Sequence, residues 1–501
     1  MGISRKKKTI YNILTLFIYQ MFNFACNLIL PRLILGSYGS AYNGLVSSIT
    51  QFLNFISILR LGVAGATRVE LYKSLNNGDN DKTSSIVNAT QKFMRKISFI
   101  FFCYLFLIAI IYPFIVKGFN FIDVFSLVLI LGISVFCEYF FNFTYATLLQ
   151  SDQKMYIHNI IQTAFTIINT VVLCILITNE FSIQFVKFIS AIIFTISSIF
   201  LYMYVRKKYA INKYAIPDNT ALKGRKDVMS NSIANIVHEN TDIAVLTLMT
   251  DMKVVSVYAV YTLVINGLKK IVEIFTSSLE SYFGQLWVKR EYENLNKKLC
   301  NYEYFISFCI SIIFPCCMIL LIPFITLYTS GITDINYIRP FYGFMTILTL
   351  ASFCMRIPYL TVVQAAGKYK EVKIGAYLEA GINILSSIIL TYLFGLIGVI
   401  IGTFLANTFR TIQYYLFISK EILNRKKYIL LKNIAFISVS TVISYFLLKL
   451  VVCSGGISIN SWGNWILAGI VSFVLSCIVF ITLSLLFKKE DLTSFKKLFF
   501  R

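Results

Sequence analysis

Arg60, Lys269, Arg356 and Arg410 each fall inside a long apolar stretch of the chain, as do Glu138, His238, Glu239, Asp242, Glu273 and Glu379. An ionisable group in such a stretch is costly and as a rule faces a cavity or a partner. Arginine and lysine combine charge with several donors, which suits them to phosphate. The chemistry these cations offer is binding of an anion. Two readings stay open: the side chains line a cavity, or they snorkel to the headgroups. Lys270 adjoins Lys269 but points about 100° away, so at most one of the two need face a cavity.

The acidic residues have their own spacing. His238 and Asp242 are four apart and Glu239 is three from Asp242, which puts them on one helical face. Near mid-membrane an unpaired carboxylate is protonated or holds a cation. This cluster therefore reads as a proton- or cation-coupling site, or else as a structural polar network or a pairing with Lys269 on the next helix. Lys269 and Glu273 are also four apart and can neutralise each other. Glu138 can pair with Arg60 or with Arg356, and the sequence does not choose.

These residues need membrane-spanning helices to position them. The chain has 501 residues, is 57% hydrophobic and only 14% charged, and has a mean hydropathy of +0.73. A soluble protein of this size could not hide that much apolar surface. A spanning helix takes about 20 apolar residues. The pattern predicts spans over 10–34, 41–66, 93–116, 121–149, 155–178, 182–205 and 228–250. It continues with 254–284, 301–327, 338–363, 371–394, 396–419, 430–452 and 462–487. The fold class is all-α integral membrane, with about fourteen helices. Measured from the outer ends of their spans, Arg60, Lys269 and Arg356 lie roughly 23–27 Å deep, with Arg410 a little shallower. The cations thus share the inner half of the membrane, where they would draw an anion from the cytoplasm.

The net charge of +23 belongs to the loops. With the N-terminus in the cytoplasm, the great majority of the 46 Lys and Arg fall on inward connections, from Arg5–Lys8 to Lys488–Arg501. Arg32, Lys117, Lys187, Lys253, Arg339 and Lys449 fall outward. The positive-inside rule is met without adding or removing a helix, so both termini are expected in the cytoplasm. The basic start before an apolar run mimics a signal peptide. That run continues to about Ile34 without a small-residue cleavage site, which predicts a retained first helix. The 11 cysteines are scattered without a CxxC, so neither disulfides nor a metal site is expected. No cofactor is expected.

The segment Tyr145–Lys154 is echoed by Tyr359–Lys368: Tyr, Thr, Gln and Lys coincide. Both copies sit at the inner ends of spans, six helices apart, which predicts a parallel repeat of the transporter type. The expected organisation is a six-helix bundle over 1–205, a cytoplasmic linker over 206–227, and a second six-helix bundle over 228–427. Two further helices and a tail occupy 428–501. Walker, GxSxG and HExxH motifs are missing, and the outward loops are too short for external catalysis. The protein is therefore not expected to be an enzyme.

Several motifs in order carry a resemblance. They are the basic N-terminus, Pro31-Arg32 closing the first helix, and Leu35-Gly36-Ser37-Tyr38-Gly39 leading to Tyr42-Asn43-Gly44-Leu45. Leu61-Gly62-Val63-Ala64-Gly65 follows at the end of the second helix. Next come Leu148-Leu149-Gln150 before Lys154-Met155-Tyr156, and Asn240-Thr241-Asp242 before Tyr258. The chain resembles the O-antigen and capsule repeat-unit (Wzx-type) flippases of the multidrug/oligosaccharidyl-lipid/polysaccharide exporter superfamily. The resemblance implies two pseudo-symmetric six-helix bundles around an alternating-access cavity, with two peripheral C-terminal helices, in a bacterial inner membrane. It implies a polyprenyl-diphosphate-linked glycan as substrate, turned from the inner to the outer leaflet. Arg60, Lys269, Arg356 and Arg410 would meet the diphosphate, and Asp242 matches an acidic position of the seventh helix. It also implies coupling to a proton or sodium gradient, and polysaccharide polymerase and glycosyltransferases as partners. Membrane lipid, and no nucleic acid, completes the set. A cation-coupled multidrug efflux antiporter, a lipid-linked peptidoglycan precursor flippase and a non-transporting scaffold remain as rival expectations. The excess of intramembrane cations counts against the first, because it would repel a cationic drug.

Overall fold

The computed structural model describes residues 5–60, 63–209, 211–218, 236–237, 240–274, 276–368, 370–426, 428–453 and 459–499. Every regular element among them is helical. Eleven of the described helical runs are long and apolar enough to cross a membrane. The protein is thus an all-α, multi-pass membrane protein. The chain divides into two compact units, Met1–Ser256 and Val257–Arg501.

In the first unit, α1 (Arg5–Asn54) joins the two spans expected over 10–34 and 41–66. It runs through Pro31-Arg32, where the sequence motif suggested an end, and breaks instead at Gly39. There φ is 83°, a conformation that costs glycine little because it has no Cβ. A second glycine answers a close approach: a Cβ on Gly44 would lie 1.8 Å from the Met252 carbonyl oxygen. The backbones can meet there only because that atom is missing. A 3₁₀ stretch, Phe55–Arg60, then leads to α2 (Val63–Asn76).

The next helix, α3 (Asn80–Ile115), starts well before the expected residue 93. Asp79 caps it, accepting from the Lys82 amide at 2.9 Å, and its polar first turns still bury Ile86 and Val87. Hydropathy alone sees only the apolar part of such a helix. Then come α4 (Phe121–Cys137), a π turn over Glu138–Asn142, α5 (Phe143–Ser151), α6 (Met155–Thr178), α7 (Ile183–Tyr209) and α8 (240–249). The helix α1 packs along α6, α3 on α4, and α7 on both α4 and α6. Leu71, Val87, Tyr145, Leu149, Leu201 and Val205 form a shared core at one end.

The helix α9 (Met252–Ile274) begins in the first unit and enters the second. The second unit continues with α10 (Thr276–Val288), α11 (Tyr292–Tyr328), α12 (Pro340–Ala365), α13 (Lys373–Phe394) and α14 (Leu396–Phe417). It ends with α15 (Tyr428–Leu448), α16 (Trp462–Phe487) and α17 (Lys489–Phe499). The helix α14 lies between α12 and α13, and α11 carries α15 and α16. Trp465 pins α16 to α11 by donating Nε1–H to the Leu320 carbonyl at 3.0 Å.

The sequence repeat is also a structural one. At the end of α5, the amides of Asp152, Gln153 and Lys154 donate to the carbonyls of Leu148, Gln150 and Leu149. At the end of α12, Ala366, Gly367 and Lys368 do the same to Val362, Gln364 and Val363. The αL residue of each cap falls at the same place, Gln153 (φ 55°) and Gly367 (φ 66°). Tyr145 stands edge-on to Tyr202 with centroids 5.1 Å apart, and Tyr359 stands edge-on to Tyr415 at 5.2 Å.

Candidate functional site

Three buried charges of the second unit converge on one carboxylate, that of Glu379. Arg356 of α12 places Nη1 2.6 Å from Glu379 Oε1, and Arg410 of α14 places Nε 3.2 Å from Oε2 of the same side chain. Glu379 lies on α13, so three neighbouring helices each contribute one charge. The side chains of Arg356, Glu379 and Arg410 are 8%, 3% and 3% exposed. Two positive charges thus meet one negative charge out of water. Such an arrangement holds only if the remaining donors are satisfied.

On Arg410 every guanidinium nitrogen has an acceptor. Its Nη1 donates to the Val372 carbonyl at 3.0 Å and to Gln413 Oε1 at 2.5 Å, and its Nη2 to the Tyr414 hydroxyl at 2.6 Å. Arg356 differs: its Nε is buried without an acceptor among the described residues. An unmade hydrogen bond of that kind costs about 1–3 kcal/mol. Phe353 lies under both neighbouring cations, with Arg356 Cζ 4.8 Å and Lys269 Nζ 4.3 Å from its ring centroid. Lys269, Arg356 and Arg410 are therefore brought into one neighbourhood, while Lys270 is exposed.

The first unit has a different arrangement. Arg60 places Nη1 2.8 Å from Glu138 Oε1, so of the two partners open to Glu138 the fold selects Arg60. The side chains are 33% and 47% exposed, in contrast to the buried triad. Arg60 also lies 5.1 Å from the centroid of Tyr139. Both residues sit where the helix is irregular. Arg60 ends the 3₁₀ stretch, and Glu138 opens the π turn, a feature frequent at functional sites. Asp242 is buried on α8. His238 and Glu239 lie outside the described residues, as does the side chain of Glu273.

Glu379 was legible in the sequence as an intramembrane acid, but not its two partners, because they come from separate helices. Glu303, near the start of the span over 301–327, is absent from the sequence-derived set of intramembrane acids. It is buried, and Arg425 grips it with two bonds of 3.0 and 2.7 Å. Burial pushes the Arg425 guanidinium down, but the Glu303 bonds and charge outweigh it and leave it above its ordinary value. Tyr359 is buried close enough to Glu303 to feel its charge. In the first unit the repeat's other tyrosine, Tyr145, donates to Gln91 Oε1 at 2.6 Å. At the other end of α5, Asp152 binds Lys154 at 2.6 Å, Lys8 at 3.3 Å and the Tyr209 hydroxyl at 2.5 Å.

Buried charges on several helices of a membrane protein mark a candidate functional site. Comparison with solved structures identifies the fold. An inward-facing multidrug resistance transporter of the MATE family in the MOP superfamily matches with a TM-score of 0.64 at 12% identity, over 82% of this chain and 97% of its own. The lipid II flippase MurJ in an inward closed conformation matches with a TM-score of 0.66 at 15% identity, over 96% of this chain and 99% of its own. A MOP superfamily transporter from Pyrococcus furiosus, described as having reversed binding-pocket polarity, matches with a TM-score of 0.54 at 14% identity, over 85% and 100%. No protein-family model and no curated protein sequence matches the chain. The chain thus has the fold of the MOP superfamily transporters, whose solved members named here are transporters and a flippase.

Proposed function

We propose that this protein is a flippase that turns polyprenyl-diphosphate-linked oligosaccharide from the inner to the outer leaflet by alternating access. It would serve surface polysaccharide assembly, such as O-antigen, capsule or exopolysaccharide, in a bacterial inner membrane with both termini cytoplasmic. The observation that carries this reading is the buried cation excess around Glu379, where Arg356 keeps an unused donor. A diphosphate supplies the missing negative charge and a fork of acceptors. Within the second unit Lys269 joins Arg356 as a phosphate-facing group, and Arg410, with an acceptor on every nitrogen, holds the carboxylate in place; Arg60 is the candidate phosphate contact of the first unit. In this reading the spans before and after the linker over 206–227 form the two moving bundles, 428–501 is an addition, and Asp242 serves ion coupling. No covalent step is involved.

Two rivals share the fold. A multidrug antiporter would have to take cations past Arg356 and Lys269, which their charge opposes. The MATE-family exporter also leaves more of this chain unmatched than the lipid II flippase does. A peptidoglycan precursor flippase uses the same diphosphate chemistry, and coverage of 96% and 99% favours keeping it as the second reading. Leaflet accessibility of lipid-linked oligosaccharide in cells depleted of the protein separates them. Accumulation on the inner leaflet, reversed by wild type, is expected. An unchanged distribution where no other flippase substitutes would overturn the proposal, and accumulation of lipid II instead would select the second reading.

A further inference from the structure

Glu379 stands between two arginines that spend their other donors differently. Arg410 commits its remaining guanidinium to Val372, Gln413 and Tyr414. Arg356 is held through Nη1, and its Nε has no acceptor among the described residues. Arg410 is therefore fixed by the protein whether or not Arg356 lets go.

We infer that Glu379 is a resident counter-anion for Arg356: it holds that arginine while the protein is empty and yields it to a substrate phosphate on loading. The inference rests on reading Arg356 as a diphosphate-binding residue. The exchange orphans no charge. When Arg356 turns to phosphate, Glu379 keeps Arg410 through Oε2, and Arg356 gains a ligand for the Nε edge that the carboxylate leaves unused. The triad is also one negative charge short, and in a poorly screened site a phosphate is drawn in to supply it.

The device sets specificity as well as affinity. A ligand has to displace a carboxylate from an arginine, which a dianionic phosphate does and a neutral polyprenol does not. On release the sequence runs backwards, and Glu379 reclaims Arg356 and shortens the time the phosphate stays. The pair in the first unit lacks this provision, because no second cation within ion-pair distance of Glu138 is present among the described residues to keep it when Arg60 turns away.

The test is binding of farnesyl diphosphate, with farnesol as control, to the purified full chain in lipid nanodiscs, alongside flipping of lipid-linked oligosaccharide. Glu379→Gln is expected to bind farnesyl diphosphate about tenfold tighter than wild type while flipping more slowly, because a competing charge is gone. Arg356→Ala is expected to bind more weakly. Should Glu379→Gln fail to fold, Glu379→Asp keeps the charge but shortens its reach across the two arginines and loosens its hold on Arg356, and a smaller tightening is expected. Wild-type binding with equal or weaker affinity in the Glu379 variant that folds overturns the inference and leaves the flippase reading standing. Wild-type protein that prefers farnesyl diphosphate no more than farnesol overturns both.

Discussion

Arg356 meets Glu379 at 2.6 Å with both side chains more than nine-tenths buried, and Arg410 holds the other carboxylate oxygen at 3.2 Å. Three helices, α12, α13 and α14, are fastened by one acid. Neither arginine has a second carboxylate within ion-pair distance among the described residues.

Removing that acid strands two buried cations. Glu379→Ala is expected to cost about 3–5 kcal/mol, the range for breaking a buried pair from one side. Thermal unfolding in detergent reads this as a large drop in midpoint. A midpoint within a degree or two of wild type would mean that the charges relax to solvent.

Arg60 and Glu138 are more open, so their pair should matter less to stability than to transport. Arg60→Ala is expected to insert at normal levels and unfold near the wild-type temperature, yet fail to flip substrate. Normal flipping in this variant, measured with protein levels matched, would remove Arg60 from the diphosphate path.

The two copies of the repeat predict unequal sensitivities. Tyr359 lies near an acid already locked to Arg425, whereas Tyr145 donates to the neutral Gln91. Arg425→Ala leaves Glu303 buried without its cation and is expected to cost about 3–5 kcal/mol. Gln91→Ala removes one neutral hydrogen bond and should cost about 1 kcal/mol. Equal shifts in unfolding midpoint would show that the ionic version carries no extra stability.

Asp152 gives a pH dependence. Burial pushes its carboxyl up, but hydrogen bonds from Lys154 and Tyr209 and the charges of Lys154 and Lys8 bring it below the ordinary carboxylate value. A depressed pKa stabilises the fold above the unfolded value of about 3.9, and that stability is lost as pH falls through the lower, folded value. Wild type should therefore exceed Asp152→Asn in stability at neutral pH, and the gap should close as the pH is taken below about 3.9. A constant gap from neutral to acid pH would mean that charge is not its source.

Sidedness is open to labelling. In a background without native cysteines, Lys368→Cys is expected to react with a membrane-impermeant reagent only after the cells are opened, and Lys117→Cys in intact cells. The reverse pattern would invert the assigned orientation.

The membrane class, the helical composition, the repeat at Tyr145 and Tyr359 and the short roll of intramembrane charges were legible in the sequence. Each is a local property: hydropathy of a segment, charge of a loop, or identity of a residue at a fixed offset. The break at Gly39 rather than Pro31, the early start of α3 at Asn80, and the pairing of Glu138 with Arg60 were not. Those depend on which backbone bends and which helix lies alongside, and polar first turns or a glycine give hydropathy nothing to read. The same division holds for the charges around Glu379. Sequence determined that Arg356, Glu379 and Arg410 must each find a partner, a cavity or the headgroups, because a lone charge in hydrocarbon is too costly. Only the packing of α12, α13 and α14 decided that they find one another, with an acceptor on every nitrogen of Arg410 and Arg356 left with a donor to spare.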